Sequence, residues 1–113
     1  MMTWLVIVYA VAKLGGRTTR KELVELLYDR LWLVHKISLY SSRQELLEIL
    51  ENTAKSGVLE LRGEEVVLMQ APEIQRIVES LEQEKKKPNL FGTVFRLVEE
   101  EAARMKRKSA VKC

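Results

Sequence analysis

The side chains best suited to binding chemistry are cations beside a predicted helix start. Arg17, Arg20 and Lys21 lie around the sequence Thr-Arg-Lys-Glu, which runs from Thr19 to Glu22. This sequence is a capping box, in which the threonine oxygen accepts an orphan backbone amide and the glutamate reaches back to the cap. Backbone amides at a helix start also attract anions, so the pattern predicts a phosphate-binding corner. The alternative interpretation is a set of ordinary solvated cations.

Side chains suited to catalysis are few. The chain has one histidine, His35, and one aspartate, Asp29, so a Ser-His-Asp set would need both single copies to coincide. The sequence shows no phosphate-cradling glycine loop and no metal-spaced cluster, and Gly15 with Gly16 predicts a helix stop. We therefore expect a protein that is not an enzyme and that needs no cofactor or metal. Cys113 is the only cysteine, which indicates a reducing, cytoplasmic environment.

The charge of the chain is unevenly distributed. The formal net charge of the 113 residues is +3. Residues 1–84 hold 10 Lys and Arg against 13 Asp and Glu, a net of −3, whereas residues 85–113 hold 9 against 3, a net of +6. The predicted globular part is thus acidic and the segment after it is basic, so any polyanion contact has to be located on the surface before it is inferred.

A continuous apolar run opens the predicted structure. The run WLVIVYAVA, from Trp4 to Ala12, is far shorter than the ~20 apolar residues that cross a bilayer. No basic residue precedes it and no small-residue cleavage site follows it, so a signal peptide is disfavoured. We expect a buried first helix and no membrane contact.

Hydrophobic spacing predicts a mainly helical chain with one small β-hairpin. A second capping box begins at Ser42, and Gly57 supplies the stop of the helix that it starts. The predicted order is a helix over residues 2–14, a helix from 19, a segment over 33–40 that is a short strand or an ordered loop, a helix over 42–57, a hairpin over 58–69, and two helices from 72 and after 89.

This order of helices and hairpin resembles the winged helix-turn-helix family. The resemblance covers residues 2 to about 70 and is carried by the Leu-x-x-Leu spacing after Leu46, by Gly57-Val58-Leu59-Glu60 and by the hairpin that follows. It implies a winged-helix domain over residues 1–70, a fourth helix over 71–84 that packs on or extends from it, and a basic linker with an amphipathic helix over 85–113.

The resemblance also implies a DNA-binding surface. In that family the third helix lies in the major groove, the start of the second helix touches phosphate and the hairpin is the wing. It implies a small regulator or architectural factor that binds double-stranded DNA. The residues assigned to nucleic acid in this way are Arg17, Thr18, Arg20, Lys21, Arg43, Gln44 and Arg62.

An acidic outer face on the third predicted helix favours a different partner. The face has three glutamates and one lysine, and such a charge should repel a DNA duplex. The preferred interpretation of its acidic residues is a solvated face, steadied by Glu48 with Asn52 and Glu51 with Lys55, which are four residues apart. The alternative function is therefore a winged-helix adaptor that binds a protein of a larger assembly through this face or through the C-terminal helix. The face comprises Gln44, Glu45, Glu48, Glu51, Asn52 and Lys55.

The last predicted helix carries an apolar seam with a spacing of four, three, four and three residues, typical of a short coiled coil. Three arrangements would bury this seam: folding back onto the chain's own domain, pairing in a homodimer, or lying on a membrane, which the glutamates at 99–101 disfavour. The homodimer is preferred, because winged-helix regulators often dimerise through terminal helices. The seam comprises Phe91, Phe95, Val98, Ala102 and Met105.

Overall fold

The computed structural model describes residues 3–111, with side chains as far as residue 107, and it is mainly helical with a small sheet. This confirms the predicted class. Cys113 lies outside the described residues. The helices are α1 (Thr3–Lys13), α2 (Arg20–Val24), α3 (Leu31–His35), α4 (Arg43–Lys55), α5 (Pro72–Glu84) and α6 (Leu90–Val111), and the strands are β1 (Arg17–Thr19), β2 (Leu59–Arg62) and β3 (Glu65–Leu68).

The hairpin of β2 and β3 gains a third strand that the sequence pattern does not indicate. The sheet order is β1-β3-β2, fully antiparallel, with Val66 of β3 between Thr18 and Leu61. Gly15 and Gly16, both at positive φ, turn the chain so that β1 runs beside β3. Three residues are too short to show the alternation that identifies a strand, and only the tertiary pairing makes β1 visible.

Both predicted capping boxes hold their helix starts. The Thr19 hydroxyl accepts from the Glu22 amide at 3.0 Å, and the Ser42 hydroxyl accepts from the Glu45 amide at 3.1 Å. The Glu22 carboxylate does not reach back to the cap, since its Oε1 accepts from the Thr18 hydroxyl at 2.7 Å instead. This bond joins the sheet edge to the start of α2.

A continuous helical path leads from α2 to α3 through a π-helical segment, Glu25–Arg30. The strand alternative for residues 33–40 is therefore wrong, because residues 33–35 complete α3 and the rest is an ordered loop. Lys36 ends the helix in the left-handed region at φ 60°. Glycine usually occupies such a position, so its absence hid the helix end in the sequence.

The first helix is the centre of the core. Six consecutive residues of α1, from Val6 to Val11, are completely buried because α4, α5, α6 and the sheet pack around it. A helix buried on all sides has no polar stripe, which explains the unbroken apolar run. None of the described helices combines the length and apolarity required to cross a bilayer.

The seam of α6 lies in this same core. Phe95, Val98 and Ala102 are completely buried, and the Phe95 ring meets the Tyr9 ring edge-on with centroids 5.2 Å apart. Phe91 at the start of the helix is 40% exposed. The seam therefore folds back onto its own chain, the first of the three arrangements, and a homodimer, which stays a prediction, would need another surface.

An ionic cluster fastens α6 and α5 to α1. Lys13 and Lys85 each contact both Glu82 and Glu99, and the Tyr9 hydroxyl donates to Glu82 Oε1 at 2.8 Å. Burial alone would raise the pKa of Glu82, but hydrogen bonds from Lys13, Tyr9 and Lys85 outweigh it and lower the pKa to about 2. A hydrogen bond from Lys85 is the main cause that lowers the pKa of Glu99.

We expect the stabilisation from this cluster to be lost in acid. Because the pKa of Glu82 falls from 4.5 to about 2 on folding, its contribution is present above pH 4.5 and disappears as the pH falls towards 2. Urea unfolding of the wild type and of Glu82→Gln should therefore differ at neutral pH and converge in acid. Glu79→Gln, an exposed change on the same helix, is the control. A difference between wild type and Glu82→Gln that stays constant down to pH ~2 would contradict the prediction.

Candidate nucleic-acid interface

The residues assigned to nucleic acid lie on three neighbouring parts of the fold. Arg20 and Lys21, at the start of α2, and Arg43, at the start of α4, line one groove of about 430 Å³. Glu25, Asp29 and Glu64 line the same groove, and Val24 and Leu47 supply its apolar part. Three cations thus face three carboxylates, so this groove has little net charge.

Two arginines of this groove are held by contacts within the protein. Arg43 Nη2 donates to Asp29 Oδ1 at 2.7 Å, and its guanidinium carbon lies 4.9 Å from the centroid of the Tyr28 ring. Arg20 Nε donates to the Gly63 carbonyl at 3.1 Å, and Nη1 lies 3.5 Å from Glu51 Oε2. Arg20 therefore ties the hairpin turn and α4 to the start of α2. Both arginines help to position the surface, whatever else they bind.

The other two assigned arginines form exposed ion pairs on the sheet. Arg17 Nε lies 3.2 Å from Glu65 Oε2, and Arg62 Nη2 donates to Glu60 Oε1 at 2.9 Å. Exposed pairs of this kind contribute only about 0–1 kcal/mol, so an incoming phosphate could displace the carboxylates at small cost. Arg17 and Arg62 keep the capacity to contact an anion.

Of the other residues assigned to nucleic acid, Thr18 is not accessible, whereas Gln44 and Lys21 are. Thr18 is buried, and its hydroxyl donates to Glu22, so its side chain cannot reach a ligand on the surface. Gln44 and Lys21 are exposed, and Lys21 makes no ion pair with any carboxylate that the structure describes. Side chains alternate along β1, so Thr18 points inward while Arg17 on the same strand is exposed.

The acidic face of α4 lies on the surface as the spacing predicts. Gln44, Glu48, Glu51, Asn52 and Lys55 are all exposed. Glu45, the third glutamate of the predicted face, is half-buried, and its Oε1 accepts from the Ser41 amide at 2.9 Å. Among the described residues, Glu51 is the one glutamate of this face that lies near a cation, with Oε2 3.5 Å from Arg20 Nη1. The exposed part, with two glutamates and one lysine, keeps a net negative charge. A DNA duplex placed directly on it would meet repulsion from its own phosphates.

In the folded chain Arg17, on the first strand, lies close to Met105 and Lys106 in the C-terminal half of α6, a juxtaposition that the sequence does not reveal. A groove of about 330 Å³ is lined by Leu14, Arg17, Glu22, Met105 and Lys106. Lys106 is exposed and, within the described residues, forms no ion pair. Met105 belongs to the seam that packs against α1, which brings the next residue of α6 to the edge of the sheet. We call Arg17 and Lys106, together with Lys21 of the neighbouring groove, the cationic corner.

A buried carboxylate fixes α6 in this position. Glu101 is completely buried, and its Oε1 accepts from Arg30 Nε at 2.7 Å. Its Oε2 lies 2.9 Å from His35 Nε2 and accepts from Arg104 Nη1 at 3.3 Å. Burial alone would raise the pKa of Glu101, but hydrogen bonds from His35 and Arg30 lower it below the ordinary value. This anchor lies within a run of three glutamates, so no spacing in the sequence distinguishes it.

The interface is therefore a mixed-charge surface. Arg17 and Lys106 line the groove where β1, α2 and α6 meet, and Lys21 lines the neighbouring groove. Glu48, Glu51 and Lys55 are exposed on α4. The described residues include no group of three or more acidic, histidine or cysteine side chains arranged to hold a metal ion. No protein-family model, curated protein or solved structure matches the chain significantly.

Proposed function

We propose that the chain is a winged-helix protein that binds double-stranded DNA as a small regulator or architectural factor. The sheet order β1-β3-β2, with helices before β1, between β1 and β2, and a hairpin after α4, supports the winged-helix part of the proposal. If the continuous path from α2 to α3 is counted as one helix, α4 corresponds to the third helix of that family, and the turn after Arg62 corresponds to the wing.

The observation that carries the proposal is the cationic corner. Arg17 and Lys106 line one groove, while Lys21 leaves the first turn of α2 on the side of the neighbouring groove. Two of these three cations have no carboxylate partner among the described residues, and the third has an exposed pair that phosphate could replace. Arg107, the residue after Lys106 on α6, is exposed as well, so its charge adds to the positive charge beside this corner.

This geometry favours contact with the DNA backbone over base reading. Cations at the edge of the surface neutralise phosphates, which gives affinity without sequence information. On α4 only Gln44 and Asn52 offer neutral amides to base edges, and Glu48 and Glu51 would oppose close approach. We therefore expect the protein to bind duplexes of unrelated sequence with similar affinity.

A salt titration tests the proposed function. Fluorescence anisotropy of a labelled duplex is measured with the full chain at several salt concentrations, and a second duplex of unrelated sequence is measured in parallel. If three phosphates are neutralised, the logarithm of the affinity should fall with the logarithm of salt at a slope of about −2.7. No binding at low salt, or binding indifferent to salt, would contradict the proposal.

A second candidate is the protein adaptor, supported by the acidic exposed face of α4. Under this proposal Glu48 and Glu51 meet a basic partner, and neutralising the cationic corner leaves the interaction intact. The homodimer also stays a proposal, with a contact surface outside the buried seam of α6. Sedimentation velocity over a range of concentrations measures the oligomeric state, and a monomer at every concentration would remove it.

A further inference from the structure

A run of large apolar side chains is exposed at the end of α3. Trp32 is 51% exposed, Leu33 is 67% exposed and Val34 is 47% exposed. Only Leu31 of this stretch is fully buried. Single exposed apolar residues are normal, but three in succession, about 100° apart around α3, leave the outward side of this helical turn largely apolar, and large exposed apolar surfaces mark interaction sites.

A small groove lies beside this patch. It has a volume of about 220 Å³ and is lined by Leu27, Tyr28, Trp32, Ile37, Ser38 and Leu39. Pockets for whole small molecules are usually larger, about 300–1,000 Å³. The size of this groove, which we call the α3 groove, suits a single large apolar side chain that enters from a neighbouring protein segment.

Two uncommon backbone features build the α3 groove. Tyr28 lies in the π-helical segment Glu25–Arg30, and π-helical turns occur frequently at functional sites. Lys36 takes the left-handed conformation at φ 60°, which is uncommon outside glycine, and the Ile37 amide then donates back to the Leu31 carbonyl at 2.9 Å. The chain is thereby folded back so that Ile37 and Leu39 face the aromatic side chains.

Each aromatic wall of the α3 groove has a cation beside it. Lys36 Nζ lies 5.7 Å from the centroid of the Trp32 ring, and the Arg43 guanidinium carbon lies 4.9 Å from the centroid of the Tyr28 ring. Asp29 neutralises Arg43 in part, through one nitrogen at 2.7 Å. Lys36 is exposed. The α3 groove is therefore a mixed slot, with aliphatic and aromatic side chains beside Ser38, next to the exposed cation Lys36 and to Arg43, which Asp29 partly neutralises. Such a slot is complementary to one apolar side chain that is followed by a carboxylate for Lys36.

We propose that the α3 groove binds an acidic peptide segment of a partner protein, with one large apolar side chain in the slot and carboxylates against Lys36 and Arg43. The slot uses none of Arg17, Lys21 and Lys106 but shares Arg43 with the residues assigned to nucleic acid, so peptide binding is tested at Trp32 and Lys36, which the proposed DNA contact does not use. It also replaces the buried seam of α6 as the surface available to a protein partner.

The probe is a short fluorescent peptide with one phenylalanine between runs of glutamate. Two matched peptides accompany it, one with alanine in place of the phenylalanine and one with lysine in place of the glutamates. Anisotropy with the full chain should show saturable binding of the first peptide, with each matched peptide at least roughly tenfold weaker.

Two variants locate the binding, each with a control. Trp32→Ala removes a wall of the slot, and its control is Leu90→Ala, an exposed apolar residue on α6. Lys36→Asn removes a cation while keeping a residue that tolerates the left-handed conformation, and its control is Lys86→Gln. We expect roughly tenfold weaker binding for both test variants and unchanged binding for both controls. Circular dichroism confirms that each variant is folded.

Three results would overturn the proposal. The first is no binding of the phenylalanine-glutamate peptide to the folded wild type. The second is equal binding of the phenylalanine and alanine peptides, which would indicate charge attraction without the slot. The third is equal binding to wild type, Trp32→Ala and Lys36→Asn, which would place the contact elsewhere on the protein.

Discussion

Replacing Glu101 with leucine is expected to lower the free energy of unfolding by about 3 kcal/mol or more. The carboxylate is completely buried and is the common acceptor for Arg30, His35 and Arg104. Leucine would leave these donors without their acceptor in a site that is partly closed to water. Removing one partner of a buried ion pair typically costs about 3–5 kcal/mol, and the partial exposure of Arg30 places the expected loss at the lower end of that range.

The neighbouring glutamate provides the control. Glu100 is exposed, and its pair with Arg104 at 3.0 Å is four residues apart on the surface of α6. Glu100→Leu should therefore change stability by only about 0.5 kcal/mol. Urea unfolding followed by circular dichroism measures both variants. Similar losses for Glu100→Leu and Glu101→Leu would mean that Glu101 is not the anchor of α6.

Replacing Phe95 with alanine is expected to lower the free energy of unfolding by about 3–5 kcal/mol. The ring is completely buried against α1 and packs edge-on against Tyr9. Alanine loses the buried apolar area and leaves a cavity that the surrounding helices can only partly fill. Phe91→Ala is the matched control in the same seam, and its cost should be nearer 1 kcal/mol because the ring is 40% exposed.

The same pair of variants separates a core from a dimer contact. If the seam belongs to the core of one chain, the melting temperature of the wild type and of both variants should not depend on protein concentration. If the seam joined two chains, the melting temperature would rise with concentration, and both phenylalanine changes would weaken that rise. The unequal, concentration-independent costs are the expected result.

Local sequence signals predicted the local structure well. The helix N-caps at Thr19 and Ser42, the apolar first helix and the hairpin were all correctly indicated, because each depends on residues that are close in sequence. The reciprocal glutamate bonds of the two capping boxes did not form, since Glu22 binds Thr18 and Glu45 binds the Ser41 amide. The end of α3 was not predicted because the usual local signal is missing there: Lys36 takes the left-handed position that a glycine would have marked. Signals of this kind cannot show which elements meet.

The features that matter most for the candidate site are tertiary. β1 is a strand only because β3 lies beside it, and Glu101 is an anchor only because Arg30 and His35 come from another helix. The cationic corner combines residues almost ninety positions apart in the chain, Arg17 and Lys106. The packing of α6 against α1 brings Arg17 and Lys106 together. The spacing of the seam could not predict this packing, because it suits folding back and dimerisation equally well.

The central claim is that phosphates bind at the cationic corner. Its most direct test compares Lys21→Gln/Lys106→Gln with Arg76→Gln/Lys86→Gln, which removes the same charge from exposed positions on and after α5. Affinity for a labelled duplex is measured over a salt series for both variants and the wild type. The corner variant should bind at least roughly tenfold more weakly at low salt, with a salt slope smaller by about two, and the control should change little. Equal losses in the two variants, or no loss in the corner variant, would contradict the account.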